Sequence, residues 1–145
     1  MSDKNNIDIA ISSEKSLHEF IEDIVTINPC KCLVILTYSI SDQSLRVIDD
    51  LKSEGKIEKL IFIFDKSLVS NKYKLLLYAE NIADEIYINE NHAKIVMFDD
   101  SVLLSSSNFN KIKRIEFFCH LQCKSTMNYL NNEMELIMKQ SERIK

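Results

Sequence analysis

The chain has 145 residues, which is enough for one domain built around one hydrophobic core. Its net charge of −4 and pI near 5.4 argue against a general nucleic-acid coat protein, but a local basic groove is compatible with both values. The only glycine, Gly55, excludes the G-x-G-x-x-G motif and the P-loop, so any phosphate chemistry must use side chains.

The first two thirds of the sequence alternate between strand and helix patterns. Strands are predicted at 7–11, 33–38, 60–64 and 85–88. Helices are predicted from Ser16, where Glu19 completes a capping box, over 41–54 with Gly55 as the stop, and from Ser70 onward. This alternation predicts an α/β layered fold, in which helices cover both faces of a mostly parallel central sheet.

The last third of the sequence does not follow this alternation of strands and helices. Strands are predicted at 92–98 and 102–108, joined by a turn at 99–101, and a further strand follows at 114–121. A closing helix is predicted to place its apolar residues inward, namely Met127, Leu130, Met134 and Ile137. Antiparallel strands are thus added to the parallel ones, giving a mixed sheet. No linker or repeat interrupts the sequence, so residues 1–145 are predicted to form a single domain.

The start of the chain and the cysteines bear on the compartment. No apolar run approaches the roughly 20 residues that span a bilayer, and the polar first residues lack the apolar stretch of a secretory signal. Four cysteines are too few for a short secreted disulfide scaffold, and their spacings differ from those of structural zinc ligands. We expect reduced thiols, no bound metal and a cytoplasmic location.

The chemistry-bearing residues fall in the last third. The segment from His92 through Lys94 to Asp99 fits H-x-K-x4-D, and the segment from Ser105 to Asn108 is similar to G-S-x-N. Together they resemble the motif of the phospholipase D superfamily, in particular its single-motif, nuclease-like members. The resemblance implies a phospholipase D-like layered fold with an antiparallel hairpin that carries the motif. Two departures stand out: Ser105 replaces the usual glycine, and five residues separate it from Asp99 instead of the usual six.

Strand geometry gathers several of these residues on one face. His92 and Lys94 are two apart on a predicted strand, so both side chains project to the same side. If the hairpin closes with Phe98 opposite Val102, the residue numbers of each pair sum to 200. His92 then lies opposite Asn108, and Lys94 lies opposite Ser106. If the missing residue instead lies within a strand, the alternation flips and the site is broken.

The family resemblance implies phosphodiester transfer without a metal or other cofactor. His92 would attack phosphorus and form a phosphohistidine intermediate, while a second histidine would protonate the leaving oxygen and later activate water. Lys94 and Asn108 would hold the non-bridging oxygens and offset the charge of the transition state.

Other residues are predicted to support this chemistry. Glu116 lies where the family often has a glutamate that orients the histidine, and Asp99 is chiefly structural in the family, tying down the turn. Ser106 is predicted as a supporting polar partner. The basic cluster of Lys111, Lys113 and Arg114 follows the motif closely and is a candidate for binding the substrate, although a solvated loop is an equal alternative.

One motif supplies one histidine, whereas the mechanism needs two. His18 and His120 have no lysine two residues later and cannot complete a second motif. Family members with one motif form dimers, which implies a homodimer with a shared active site. His18 itself is predicted to be a partly exposed residue on the first helix. Phe109 and Tyr38 are predicted to pack in the core, with base stacking as the alternative.

The leading prediction is therefore a metal-independent phosphodiesterase, in particular a nuclease acting on DNA or RNA. This last step rests on family analogy. A phospholipid hydrolase is one alternative, and a non-catalytic dimeric module that binds phosphate or nucleic acid is another. A separate partner protein that confers specificity is plausible, because the chain is too small to carry its own recognition domain.

Overall fold

A single mixed sheet runs through the computed structural model, which describes residues 5–145. The strands are β1 (Asn6–Ser12), β2 (Cys30–Thr37), β3 (Ile57–Asp65), β4 (Glu85–Asn89), β5 (Lys94–Met97), β6 (Val102–Ser105), β7 (Glu116–Gln122) and β8 (Glu142–Arg143). The helices are α1 (Leu17–Ile27), α2 (Asp42–Ser53), α3 (Ser67–Asn71), α4 (Tyr73–Ile82) and α5 (Lys124–Gln140). The strand order is β1-β7-β6-β5-β2-β3-β4-β8.

The sheet is mixed, as the sequence predicts, but its proportions differ from the expectation. Within the described residues, two neighbouring strand pairs are parallel, β2 with β3 and β3 with β4, and the other five are antiparallel. The prediction of a mostly parallel sheet is wrong in this respect. Residues 98–101 join β5 to β6, and so short a connection favours their antiparallel pairing.

Helices cover both faces of the sheet, which confirms the layered architecture. On one face α1, α2 and α4 pack on the sheet through side chains such as Ile21, Ile48 and Leu76, all of them buried. On the other face α5 packs through Met127 and Met134. Burying an aliphatic side chain of this size contributes about 1.5–3 kcal/mol. None of the helices in residues 5–145 has the length and apolar character of a bilayer-spanning helix.

The helix boundaries match the sequence patterns with two corrections. Ser16 is the N-cap of α1 as predicted, but its side chain makes no capping hydrogen bond, so the predicted capping box is not formed. Ser41 does cap α2, accepting a hydrogen bond from the Ser44 N–H at 3.1 Å. Gly55 follows α2 with a φ of 78°, in the left-handed region that glycine adopts at low cost.

The helix predicted from Ser70 is in fact two helices, α3 and α4, which meet at Lys72. Lys72 has φ −137° and ψ 52°, outside the helical region. Its carbonyl accepts hydrogen bonds from the Leu75 and Leu76 N–H groups, so the second helix starts directly at the break. No glycine or proline marks this position in the sequence, which is why the break was not predicted.

The predicted register of the motif hairpin is wrong by one residue. Met97 pairs with Val102, so paired positions sum to 199 instead of 200. The turn is longer than predicted, because Phe98 leaves the strand and its N–H donates to the Ser101 carbonyl at 2.9 Å. The buried Phe98 side chain packs into the core, which stabilises this wider turn. The strands are also shorter than predicted, with His92 before β5 and Asn108 after β6.

The remaining differences concern the ends of the sheet and the thiols. β7 begins at Glu116, so Arg114 precedes the strand that was predicted to include it, and the short β8 was not predicted. All four cysteines are free, as expected. Burial and the neighbouring charge of Asp99 raise the pKa of the Cys30 thiol to about 12.

Candidate active site

His92 lies exposed in the segment between β4 and β5, at the edge of the sheet where β2 ends. Its imidazole stacks on the Tyr38 ring, with the ring centroids 4.4 Å apart and the planes at 30°. Lys94 begins β5 opposite Thr37, and its Nζ donates a hydrogen bond to the His92 carbonyl at 2.8 Å. The histidine and the lysine of the motif are therefore held next to each other at one edge of the sheet.

A buried carboxylate, that of Asp65 at the end of β3, lies in the same depression as His92. It accepts hydrogen bonds at 3.0 Å from the N–H groups of Ser67 and Asn91. Burial opposes ionisation of Asp65, but these hydrogen bonds and the charge of His92 hold the pKa of its carboxyl below the ordinary value. Sequence reasoning missed Asp65, although side chains at the carboxyl ends of parallel strands commonly form sites.

Asn108 lies in the connection between β6 and β7, not on a strand opposite His92 as predicted. The Ser105 hydroxyl accepts a hydrogen bond from the Ser107 N–H at 2.8 Å, which bends the chain away from the sheet before Asn108. The side-chain oxygen of Asn108 is buried and has no hydrogen-bond partner among residues 5–145. Such an atom is rare in native structures, and a hydrogen-bond donor such as a water molecule would satisfy it.

The segment that follows β2 contacts both parts of the motif. Tyr38 stacks on His92, whereas the Ser39 hydroxyl accepts a hydrogen bond from the Asn110 side chain at 3.4 Å. Ile40 forms a parallel bridge with Phe109, the residue next to Asn108. The structure thus places His92 and Asn108 at the same edge of the sheet, each beside residues 38–41, with no hydrogen bond between their side chains within residues 5–145.

A buried hydrogen-bond network holds the Asn108 loop. The Ser44 hydroxyl donates to the Phe109 carbonyl at 3.0 Å, and His18 Nδ1 lies 2.8 Å from the same hydroxyl. The prediction that His18 is partly exposed is wrong, because only 3% of it is accessible. Burial lowers the pKa of His18, against the opposing charges of Glu19 and Glu22, so the ring is held neutral. Phe109 is fully buried, as expected for core packing.

Glu116 supports the Asn108 loop from β7. Its Oε2 accepts a hydrogen bond from the Ser106 hydroxyl at 2.9 Å, and that hydroxyl also accepts from the Phe117 N–H at 2.9 Å. Arg114 Nε lies 4.0 Å from Glu116 Oε1. Within the described part of the chain, Glu116 makes no hydrogen bond to His92, so one chain alone does not place these two predicted site residues in contact.

The predicted basic residues Lys111, Lys113 and Arg114 line a cleft of about 620 Å³, together with Asn108. Lys72, at the break between α3 and α4, lines the same cleft from the other side. We refer to the space among these four basic residues as the basic cleft. Sequence reasoning missed Lys72, because it lies far from the motif in the chain and no local pattern distinguishes it from other lysines.

Asp99 lies at the opposite end of β5 from His92. Its two carboxylate oxygens accept hydrogen bonds from the N–H groups of Lys31 at 2.9 Å and Cys32 at 3.0 Å. These N–H groups belong to the first residues of β2, the antiparallel neighbour of β5. The third residue of the motif therefore ties the turn to the adjacent strand and does not take part in the cluster around His92.

The chain shares its fold with solved structures that include a phospholipase D family member, in agreement with the resemblance of the motif. Nuc from Salmonella typhimurium, a phospholipase D family member, superposes with a TM-score of 0.80 at 14% identity, over 98% of this chain and 99% of that one. NucT from Helicobacter pylori superposes with a TM-score of 0.71 at 14% identity, over 94% of this chain and 98% of that one.

A larger protein shares the same unit. Phosphatidylserine synthase from Haemophilus influenzae Rd KW20 superposes with a TM-score of 0.75 at 17% identity, over all of this chain but only 41% of that one. No protein-family model matches the sequence, and no curated protein is significantly similar to it. At these identities the comparisons establish the fold, whereas activity must be argued from the site.

Proposed function

We propose that the protein is a metal-independent phosphodiesterase that cleaves DNA or RNA through a phosphohistidine intermediate. The observation that carries the proposal is the position of the motif in the fold. The motif histidine is exposed at the sheet edge where β2 ends, beside a buried carboxylate and on the same side as the basic cleft. A nucleophile must be accessible to its substrate, and a phosphodiester is an anion that a basic surface attracts.

The reaction takes place in two displacements. In the first, an imidazole nitrogen of His92 attacks phosphorus, the bond to the leaving oxygen breaks, and a second histidine gives that oxygen a proton. In the second, the same second histidine takes a proton from water, whose oxygen attacks phosphorus, and the phosphorus–nitrogen bond returns its electron pair to His92. Lys94 and the Asn108 side-chain N–H hold the non-bridging oxygens as negative charge develops on them.

The carboxylates take separate roles in this scheme. Asp65 shares a depression with His92 and carries a negative charge at neutral pH, so it stabilises the positive charge that the imidazole gains when it bonds to phosphorus. Glu116 contacts Ser106 but not the His92 of its own chain. Its predicted role in orienting a histidine therefore applies to the histidine of a second copy.

The second histidine comes from a second copy of the chain. His18 is buried, and His120 Nε2 is hydrogen-bonded to the Ser101 hydroxyl at 2.9 Å, so neither is available to act as the second catalytic histidine. A two-fold axis that brings the two His92 side chains to one phosphodiester supplies both groups. The protein thus acts as a homodimer with one shared site.

Nucleic acid is favoured over phospholipid because of the surface beside the site. The basic cleft is lined mainly by lysine, arginine, serine and asparagine side chains, with Glu116 as its one acidic and Ile112 as its one aliphatic lining residue in the described chain. Such a surface suits a sugar–phosphate backbone better than acyl chains. This chain covers nearly the whole length of Nuc and of NucT, but less than half of phosphatidylserine synthase.

A non-catalytic phosphate-binding module is the second candidate. It is favoured by the wider turn of the motif hairpin and by Ser105 in place of glycine, since both change the backbone that leads to Asn108. Such a module would bind the same anions, but its His92 would never become phosphorylated.

Trapping the covalent intermediate separates the two candidates. Single-stranded DNA labelled at its internal phosphates is mixed with excess protein in EDTA and quenched in alkali, and the peptides are analysed by mass spectrometry. We expect a phosphorylated adduct on His92 that disappears in His92→Asn, whereas His120→Asn serves as the matched control and retains it. An unmodified His92 at every time point, with intact binding of DNA, would establish the binding module instead.

A further inference from the structure

We propose that the basic cleft binds a second phosphate of the substrate, one that is not cleaved, and that Lys72 is one of its ligands. The inference rests on the proposed function, in which the scissile phosphate lies at His92. It identifies the substrate as a strand with several phosphates, and it assigns a specificity-determining role to Lys72.

The charges of the cleft are the first argument. Lys72, Lys111 and Lys113 make no ion pair with any residue that the structure describes, whereas Arg114 lies 4.0 Å from Glu116, a carboxylate that also lines the cleft. Many other lysines of this acidic chain are paired with carboxylates, namely Lys15, Lys52, Lys56, Lys59 and Lys66. Unpaired cations that converge on one concave surface repel each other, and a bound anion relieves that repulsion.

The fold fixes the backbone positions from which these lysines project, which is the second argument. The Lys72 N–H donates to the Leu68 carbonyl at 3.0 Å, and the Lys72 carbonyl accepts the first hydrogen bonds of α4. On the other wall, the buried side chains of Phe109 and Ile112 anchor the loop that carries Lys111 and Lys113. Two separate elements therefore present their exposed lysines to one space from fixed backbone positions.

The third argument is the continuity between the cleft and His92. A smaller depression of about 170 Å³ is lined by Lys72 and Tyr38. Tyr38 in turn lines a depression of about 460 Å³ that contains His92 and Asp65. A row of three depressions thus leads along the sheet edge from His92 past Tyr38 to the basic cleft. A polynucleotide strand can occupy the row with successive phosphates, whereas a phospholipid with one phosphodiester would leave the cleft empty.

The test compares binding and cleavage in Lys72→Ala with those in Lys139→Ala, which removes an exposed lysine near the end of α5. Binding of a fluorescent single-stranded oligonucleotide is measured by anisotropy in EDTA across a series of salt concentrations. We expect Lys72→Ala to raise Kd about five- to tenfold and to reduce the log–log salt slope by about 0.7, the value for one lost phosphate contact. Lys139→Ala should leave both quantities at the wild-type values.

Cleavage provides the second readout. The ratio of kcat/KM for the oligonucleotide to kcat/KM for bis(p-nitrophenyl) phosphate should fall in Lys72→Ala by about the same factor as binding weakens. Equal effects of Lys72→Ala and Lys139→Ala on binding would overturn the proposal, and so would Lys72-dependent binding to phosphatidylglycerol vesicles without binding of the oligonucleotide. Lys72-dependent, salt-sensitive binding of the oligonucleotide by a wild type that cleaves nothing would support the second phosphate site while disproving the nuclease function.

Discussion

The Asn108 side chain is predicted to affect stability and catalysis in opposite directions. Its buried side-chain oxygen has no partner among residues 5–145, and a buried unpaired polar atom costs about 1–3 kcal/mol. We predict that Asn108→Ala leaves the free energy of unfolding unchanged or raises it, but lowers kcat by about 10²–10³ through loss of a donor to the phosphate. Urea unfolding and initial rates on a small diester measure the two effects.

The control for this prediction is Asn128→Ala, which truncates an exposed asparagine of α5. This variant should be close to the wild type in both measurements. A large loss of stability in Asn108→Ala with kcat retained would mean that Asn108 serves the fold and not the chemistry.

His18 makes the stability of the protein depend on pH. Its folded pKa lies below the ordinary value of 6.5, mainly because of burial, so the unfolded chain binds a proton more readily than the folded one. The contribution of His18 to stability is therefore fully present above about pH 6.5, its ordinary pKa, and is lost as the pH falls toward its folded pKa. We predict that His18→Asn, which keeps a donor for Ser44, loses less stability than the wild type between pH 7.5 and 5.5 in urea unfolding.

Burial also lowers the pKa of His120, so His120→Asn should reduce the same pH dependence independently. Unfolding curves whose pH dependence is identical in the wild type and in both variants would contradict the lowered pKa values of the buried His18 and the partly buried His120.

At the residue scale, the site residues that could be predicted from the sequence are those that lie close together in the chain. His92, Lys94 and Asp99 form a short motif, and the basic residues after Asn108 are visible as a local cluster. Asp65 and Lys72 reach the site from other strands and helices, so only the tertiary fold reveals them. The burial of His18 was missed because its partner, Ser44, is on another helix and the helical pattern alone gave no indication of that contact.

At the scale of elements, the turn between β5 and β6 is predicted to contribute to stability but not to catalysis. Asp99 bonds two N–H groups of β2 at the end of β5 that is remote from His92. We predict that Asp99→Ala lowers the free energy of unfolding by about 1–2 kcal/mol, while the folded fraction keeps most of its kcat. Urea unfolding and kinetics under strongly native conditions measure the two quantities.

Asp100→Ala provides the matched control, because the Asp100 carboxylate accepts an exposed hydrogen bond from the Gln122 side chain at 3.2 Å and ties no strand to its neighbour. Its effect on stability should be within about 0.5 kcal/mol of zero. A large drop in kcat of fully folded Asp99→Ala would show that the strand-end contact also controls the position of His92.

The elements themselves were mostly predictable, whereas their pairing was not. Apolar periodicity identified β1–β7, α1, α2 and α5. Most of these elements bury a stripe or face, whereas the alternating isoleucines of β1 are exposed. The hairpin register was one residue off, since periodicity does not say how many residues a turn uses, and the burial of Phe98 decided this. The short β8 depends only on its neighbour β4 and has no sequence pattern of its own.

At the scale of the whole molecule, the shared site predicts a characteristic response to mixing. Wild type and His92→Asn are unfolded together in equal amounts and refolded, so that subunits combine at random. If each site needs His92 from both copies, activity should be about one quarter of that of the same total amount of wild type. Independent sites would retain about one half, and a monomer by light scattering would rule out the homodimer directly.

The most direct test of the central claim is hydrolysis of single-stranded DNA and of bis(p-nitrophenyl) phosphate in EDTA by the wild type and by His92→Asn. We predict that the wild type cleaves both substrates with the chelator present and that the variant, folded and assembled like the wild type, loses at least 10³-fold in kcat. Cleavage that needs an added metal, or that survives in His92→Asn, would contradict phosphodiester transfer through His92.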